Sequence, residues 1–174
     1  MVLGGAVWYY IEEASRRVEI YGERAAQWMI PKKSLVDAEI PSGFEIDRPL
    51  ATTSLTVFWT LARMMDRNRP QDGQAYAPNQ RISRELALKM ATYWEAFYLK
   101  KEDKLGTLEP GKFADFIVLD RDYLTIPEDD IENMRVLMTM VGGRTVHLVP
   151  SLAGEIGMPP EGAQVTLGGP AAQW

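Results

Sequence analysis

The sequence predicts an α/β fold in which helices dominate as far as about residue 104 and short strands follow. Apolar residues recur at helical spacing in Leu55–Met65 and again in Leu86–Phe97, a pattern typical of helices that bury one face. The pattern changes at the four-residue apolar run Phe116–Leu119, which Asp115 and Asp120 bracket. Such a run predicts a short strand covered on both faces.

A hairpin is the strongest local signal in the strand-rich part. The segments Val136–Val141 and Arg144–Val149 flank Gly142-Gly143, and a type I′ turn requires positive φ at both central residues, which glycine adopts readily. Upstream, Pro110-Gly111 suits the central positions of a type II turn. Residues 150–174 have little apolar periodicity and several Pro and Gly residues, so we expect an irregular tail there.

The first fifty residues predict two helical segments and one strand. Residues 8–29 contain good helix formers with a break near Gly22, and Pro31 suits the first turn of a further helix that ends at Ala38. Ile40–Ile46 follows as a predicted strand.

Each amphipathic helix follows a residue that can cap it. Thr53 or Ser54 is the expected cap of the first, and Ser83 of the second, because short hydroxyl side chains accept hydrogen bonds from the first free amides of a helix. Residues 66–80 are polar and predict a loop. The acidic run Glu128–Glu132 predicts a solvated face or the start of a helix. The large apolar residues expected in the core are Trp59, Met64, Met65, Met90 and Trp94.

Composition excludes several classes of protein. The net charge is −5, with scattered Lys and Arg, so a nucleic-acid partner is not expected. The absence of cysteine excludes disulfides and thiolate metal sites and is compatible with a cytoplasmic protein. The apolar start is shorter than the roughly 18 residues that a membrane span needs, so no membrane association is predicted.

A single histidine, His147, limits the metal chemistry of the chain. Transition-metal hydrolase sites usually combine several imidazoles with carboxylates. One histidine cannot supply such a site, and its position in the second hairpin strand favours a surface or packing role.

The segment Leu105–Asp120 resembles the C-terminal signature of the metal-dependent amidohydrolases, especially the amidohydrolase-3 branch of exoenzyme-like and N-acyl-amino-acid-hydrolase-like proteins. It reads L-G-T-L-E-P-G-K-F-A-D-F-I-V-L-D. Four upstream segments also resemble motifs of the family and follow them in the same order: Gly22–Ala25, Pro31–Ala38, Phe44–Pro49 and Ser83–Thr92. The resemblance therefore covers roughly residues 20 to 148.

This resemblance implies the last part of a (β/α)₈ barrel followed by the C-terminal part of a small β-sandwich. A complete barrel takes roughly 250 residues, so the chain matches only the C-terminal third of such an enzyme. We divide it into a barrel-derived segment at 1–104, a sandwich segment at 105–149 and a tail at 150–174. The resemblance implies a structural and not a catalytic role for the signature segment Leu105–Asp120.

The implied activity is hydrolysis of C–N bonds other than peptide bonds, and Asp47 is the one residue that the resemblance assigns to catalysis. In the family, an aspartate at the end of the eighth strand touches the metal and takes a proton from the attacking water. Strand ends on that face of a barrel point into the active site, where a carboxylate can act as a general base. The alternative is that Asp47 only caps a turn before Pro49.

The family's metal-binding histidines belong to strands that this chain lacks. We therefore expect no metal and no catalysis in the isolated chain, and zinc or another divalent metal if a missing N-terminal part completes it. Unpaired strand edges and apolar helix faces predict a homo-oligomer or a complex with a missing N-terminal subunit. The alternative is a non-catalytic structural or interaction protein that reuses the fragment.

Overall fold

The computed structural model describes residues 6–46, 56–68 and 73–162. These residues form a mixed α/β structure with a small antiparallel sheet, as expected at that level of detail. The α-helices are α1 (Val7–Tyr21), α2 (Glu23–Ala26), α3 (Lys32–Asp37), α4 (Val57–Asp66), α5 (Arg84–Ala91), α6 (Tyr93–Tyr98) and α7 (Pro150–Ile156). The strands are β1 (Phe116–Leu119), β2 (Val136–Val141) and β3 (Arg144–Leu148), and Pro78–Gln80 and Glu128–Asn133 are 3₁₀ helices.

The predicted break near Gly22 and the helix after Pro31 are confirmed. Gly22 has φ 79° and donates its amide to Val18 O at 2.8 Å, which ends α1 because a positive φ does not continue a helix. Helix α4 begins at Val57, and the hydroxyl of Thr56 accepts the Trp59 amide. The predicted caps Thr53 and Ser54 were therefore wrong, and both lie outside the described residues.

Ser83 caps α5 as predicted, and its hydroxyl accepts the Leu86 amide at 3.3 Å. The expected single helix is interrupted at Thr92, where φ is −129° and ψ −84°. The Thr92 hydroxyl donates to Leu88 O at 2.8 Å. Such bonding back to the preceding turn often bends helices, and here α5 ends and α6 begins at that residue.

The sheet has the order β1-β2-β3 with antiparallel neighbours. The predicted hairpin is confirmed, because Val141 lies opposite Arg144 and Gly142 and Gly143 have φ 57° and 78°. The prediction that β1 is covered on both faces was wrong. It is an edge strand of this sheet, and Ile117 is 46% exposed.

Ile40–Ile46 is not a strand, in contrast to the prediction, and Ser42 alone forms an isolated bridge. Polar groups here bond to side chains: the Gly43 carbonyl to Lys32 and the Phe44 amide to Glu95. These side chains occupy the hydrogen-bonding groups that neighbouring strands would otherwise use.

The tail was also predicted wrongly between 150 and 162. Pro150 is the first residue of α7, and Gly157 ends it with φ 69°, the usual arrangement of proline at the start and glycine after the end of a helix. Glu161 then pairs with Leu148 of β3.

One apolar cluster connects the helical part to the chain that follows residue 104. Met64, Met65 and Met90 are buried in it together with Ile131 and Met134. The predicted core residues Trp59 and Trp94 pack against it and are partly buried. The cluster includes residues from both sides of the predicted boundary, and the three-part division itself stays a prediction. No helix of the described ranges is long and apolar enough to cross a membrane.

Replacing Gly142 and Gly143 by alanine should destabilise the chain by about 1 kcal/mol at each position, because alanine is strained at positive φ. A Cβ added at either residue meets no atom within 4 Å, so the expected loss is one of backbone conformation. Urea unfolding measures it. Gly154→Ala is the matched control, since Gly154 also has open space but lies in α7 without a positive φ. Equal stability of the hairpin variants and this control would contradict the assigned turn.

Candidate functional site

The segment that leads to the predicted catalytic residue is the candidate site. Asp47 and Pro49 lie outside the described residues, so the two roles considered for Asp47 stay predictions. The described chain reaches Ile46, the residue immediately before Asp47. The contacts of Ser42–Ile46 therefore show how the backbone before Asp47 is held in place.

A buried lysine lies against this segment. Lys32, the first residue of α3, is only 2% exposed. Its Nζ donates to Ser42 Oγ at 3.0 Å and to Gly43 O at 2.5 Å. A buried ammonium needs such partners, because transfer of an unpaired charge from water is costly. Lys32 thereby connects the start of α3 to the chain ten residues later.

The surroundings of Lys32 change its protonation equilibrium. Burial lowers the pKa of Lys32 to about 8, since desolvation disfavours the charged form. Glu45 and Glu95 raise the pKa and so oppose this effect, whereas Arg67 lowers it further. The site thus contains an ammonium that titrates much closer to neutral pH than an ordinary lysine.

Glu95 of α6 bonds to the same segment. Its Oε1 accepts the Phe44 amide at 2.5 Å. A Cβ added at Gly43 would collide with that carboxylate oxygen. The carboxylate can therefore take this position only because residue 43 has no side chain.

Two further buried polar residues fix the position of α3. The side-chain amide of Gln80 accepts the Ser34 amide at 3.0 Å and donates to Ser34 Oγ at 2.7 Å. The guanidinium of Arg67 donates to Met29 O at 2.8 Å and Ile30 O at 3.3 Å, and its Nε donates to Tyr76 O at 3.2 Å. Arg67 is 1% exposed, so these bonds lie in the interior.

Sequence reasoning missed Lys32, Arg67, Gln80 and Glu95. Lys32 stands beside Lys33, and the two are alike in sequence although Lys33 is an exposed partner of Asp37. Glu95 belongs to α6, which begins after the interruption at Thr92. The one usable signal was Gly43, a glycine in a predicted strand, which often marks close approach of another group.

The Leu105–Asp120 segment has structural roles. Asp115 Oδ1 accepts the Gly142 amide at 2.6 Å, and Asp120 Oδ1 accepts the Arg135 amide at 2.9 Å. The two carboxylates that bracket β1 thus bond to opposite ends of β2. Gly111 has φ 93°, and the Lys112 amide bonds to Glu109 O, which is compatible with the predicted type II turn.

Comparison with known proteins decides the family. Residues 7–147 match the profile of the amidohydrolase family, Amidohydro_3. The chain belongs to the amidohydrolase family. Among solved structures, it is similar to an uncharacterized metal-dependent hydrolase from Pyrococcus horikoshii OT3, with a TM-score of 0.63 and 27% identity; the match covers 74% of this chain and 26% of that one.

A second solved structure and two curated relatives are also similar to this chain. An amidohydrolase from Thermotoga maritima MSB8 has a TM-score of 0.51 over 84% of this chain and 37% of that one; at 17% identity this shows likeness of fold alone. An N-substituted formamide deformylase from Arthrobacter pascens is 28% identical over 66% of this chain. Protein LONG AFTER FAR-RED 3 from Arabidopsis thaliana is 29% identical over 72%. The amidohydrolase chain spans only 21% of each curated relative's length.

The described residues do not by themselves fit the metal that the family implies. No group of three or more His, Asp or Glu residues that could hold an ion occurs in the part of the chain that the structure describes. His147 lies in β3 opposite Thr139 and is half-buried, as expected of a surface or packing residue.

Between pH 7.5 and 9.5, the parental chain should gain about 2 kcal/mol of stability relative to Lys32→Met. The folded pKa of Lys32, about 8, lies below its ordinary value of 10.5, so the unfolded chain binds more protons in this range and stability rises with pH. Urea unfolding of both proteins at several pH values measures the difference. Lys33→Met, with Lys32 intact, should keep the parental pH dependence. A difference between the parental chain and Lys32→Met that does not change with pH would exclude an ammonium buried as the structure has it.

Proposed function

We propose that this chain is the C-terminal part of a metal-dependent hydrolase that cleaves C–N bonds other than peptide bonds, and that it is inactive alone. Family membership over residues 7–147 supports the proposal. The share of each curated relative that the chain spans, 21%, supports the view that most of the catalytic machinery comes from elsewhere.

In the completed hydrolase, Asp47 is the general base that accepts a proton from the attacking water. The observation that carries this assignment is the buried polar bonding of the segment directly before it, where Lys32 and Glu95 fix Gly43 and Phe44. An ordinary surface turn does not need buried charges to hold it, whereas a catalytic carboxylate must be held in one geometry.

The divalent metal, with zinc as the first candidate, would be held mainly by residues outside this chain. That assignment follows from the donor set, since the described residues offer no cluster of ligands and the sequence contains one histidine. A metal in the complete protein would polarise the scissile group and activate water.

The partner that completes the chain is a missing N-terminal part, as a preceding segment or as a separate subunit. Apolar side chains are exposed beside the edge strand β1, and Leu108 and Phe113 are 73% and 55% exposed. No further strand of the described residues pairs with the outer side of β1, and a strand edge next to such a surface favours pairing with another element. A homo-oligomer is the alternative proposal for the same surface.

A chimera tests the assignment of Asp47. Residues 20–148 replace the matching segment of the N-substituted formamide deformylase, and hydrolysis of an N-substituted formamide is measured together with the zinc content. Asp47→Asn should lower kcat by a factor on the order of 100 or more, because a general base is lost, and leave the zinc content unchanged.

Two controls accompany the chimera. Asp37→Asn removes an exposed carboxylate from α3 and should leave kcat unchanged. The isolated chain should retain no stoichiometric zinc after dialysis. If Asp47→Asn keeps full activity in a zinc-loaded chimera, Asp47 is a turn residue and the proposed base is wrong. An inactive, correctly folded and zinc-loaded chimera would favour the non-catalytic alternative.

A further inference from the structure

Left-handed backbone is concentrated around one buried arginine. Among the described residues, five that are not glycine have a positive φ. Three of these five are Arg67 itself, with φ 60°, Ile30 with φ 49° and Ala77 with φ 48°. A residue with a Cβ is strained in this region, and a β-branched residue such as isoleucine is an outlier there. Strain of this kind persists only where the surrounding structure imposes it.

The guanidinium of Arg67 holds both peptides that flank the Cα of Ile30. Nη2 donates to Met29 O at 2.8 Å, and Nη1 donates to Ile30 O at 3.3 Å. The first carbonyl belongs to the peptide before that Cα, and the second belongs to the peptide after it. Since φ and ψ are the rotations of these two peptides about the Cα, Ile30 cannot leave the left-handed region without the loss of one of the two bonds.

The same side chain holds the peptide before Ala77. Nε of Arg67 donates to Tyr76 O at 3.2 Å, and the Tyr76 amide donates to Arg67 O at 3.1 Å. On the other side of Ala77, its own carbonyl accepts the Gln80 amide at 2.8 Å. Arg67 is 1% exposed and Ala77 is buried, so water has little access to replace these bonds. Ala77 is therefore fixed from both sides in the same way as Ile30.

We propose that Arg67 is a conformational latch. Its guanidinium imposes the left-handed conformation on Ile30 and Ala77, and the strain stored in these two residues is released when the latch opens, which lets α3 separate from the end of α4. The latch consists of described residues alone and does not depend on the function proposed above.

Helix α3 is attached to its surroundings through both strained residues. It begins at Lys32, two residues after Ile30. Gln80, three residues after Ala77, exchanges two hydrogen bonds with Ser34 of α3. A rotation at either strained residue therefore changes where α3 lies relative to α4. Because proteins open locally in units of this kind, we expect α3 to open while the sheet stays folded.

A pair of substitutions at residue 30 measures the stored strain. Ile30→Ala and Ile30→Gly both remove the branched side chain and differ only in the Cβ. At φ 49° glycine should be the more stable of the two, with an equilibrium constant of unfolding about fivefold lower in urea titrations, although glycine is the less stable in ordinary conformations. Lys100→Ala and Lys100→Gly are the matched control pair, because Lys100 has φ 55° and its amide donates to Phe97 O at the end of α6. Glycine should have a similar advantage there.

Arg67→Lys tests whether the guanidinium imposes the strain. Lysine keeps the charge but lacks the planar fork of donors that reaches three carbonyls. In this background the advantage of glycine at residue 30 should fall below about twofold, because residue 30 is then free to relax, while the advantage at residue 100 persists. The Leu35 and Ala38 amides, which bond to Pro31 O and Ser34 O, should accelerate in hydrogen exchange at least about tenfold more than amides of β2. Arg81→Lys changes an exposed side chain that donates to Asp66 O and should leave both results unchanged.

Each measurement can overturn the latch. Equal stabilities of Ile30→Ala and Ile30→Gly in the parental chain would show that residue 30 stores no strain. A glycine advantage that survives in full beside Arg67→Lys would show that the guanidinium does not impose it. Amides of α3 and β2 that accelerate together would show that α3 opens only with the whole chain. If Arg67→Lys does not fold, the residue 30 pair decides: α3 amides should exchange about fivefold more slowly in Ile30→Gly than in Ile30→Ala, and equal rates would overturn the proposal.

Discussion

Irregular segments run through the interior of this protein, and their backbone carbonyls are paired by long cationic side chains. Lys32 donates to Gly43 O, Arg67 to the carbonyls of Met29, Ile30 and Tyr76, and Arg84 to those of Tyr123 and Ile126. Buried peptide groups need partners because an unpaired one costs free energy comparable to a lost hydrogen bond. A long side chain with several donors is one way to supply them where no helix or sheet does.

Arg84 shows how this bonding joins the parts of the chain. It is the first residue of α5, and it bonds to the loop that follows β1. Tyr123 in that loop donates its hydroxyl back to Arg84 O at 3.0 Å and is itself buried in the main apolar cluster. The apolar cluster therefore buries Tyr123, and the reciprocal hydrogen bonds fix the position of the loop relative to the start of α5.

Local signals in the sequence were sufficient for much of the fold. The Gly142-Gly143 hairpin, the Ser83 cap and the break at Gly22 were predicted because each depends on backbone sterics or on a single nearby hydrogen bond. The strand expected at Ile40–Ile46 was wrong because its pairing depends on residues far away in sequence. The proline and glycine that begin and end α7 are local signals that the low periodicity of the tail concealed.

The candidate site was predictable only through the resemblance to a family, which singled out Asp47. Nothing in the pair Lys32-Lys33 indicates which ammonium is buried, because the answer depends on where Ser42 and Gly43 lie. Glu95 likewise owes its position to the interruption at Thr92 and to the missing side chain at Gly43. Buried charges are thus determined by tertiary contacts that a single sequence does not reveal.

Interior cations that pair backbone carbonyls stabilise the irregular segments, and Arg67 is the clearest case. Urea unfolding of Arg67→Met should show a loss of at least about 3 kcal/mol relative to the parental chain, since three carbonyls lose a guanidinium donor while the apolar stem is largely retained. Arg81→Met is the matched control, because Arg81 is exposed and donates to one carbonyl, that of Asp66; it should change stability by less than about 1 kcal/mol. Equal stabilities of Arg67→Met and Arg81→Met would show that the buried guanidinium does not stabilise the fold by pairing these carbonyls.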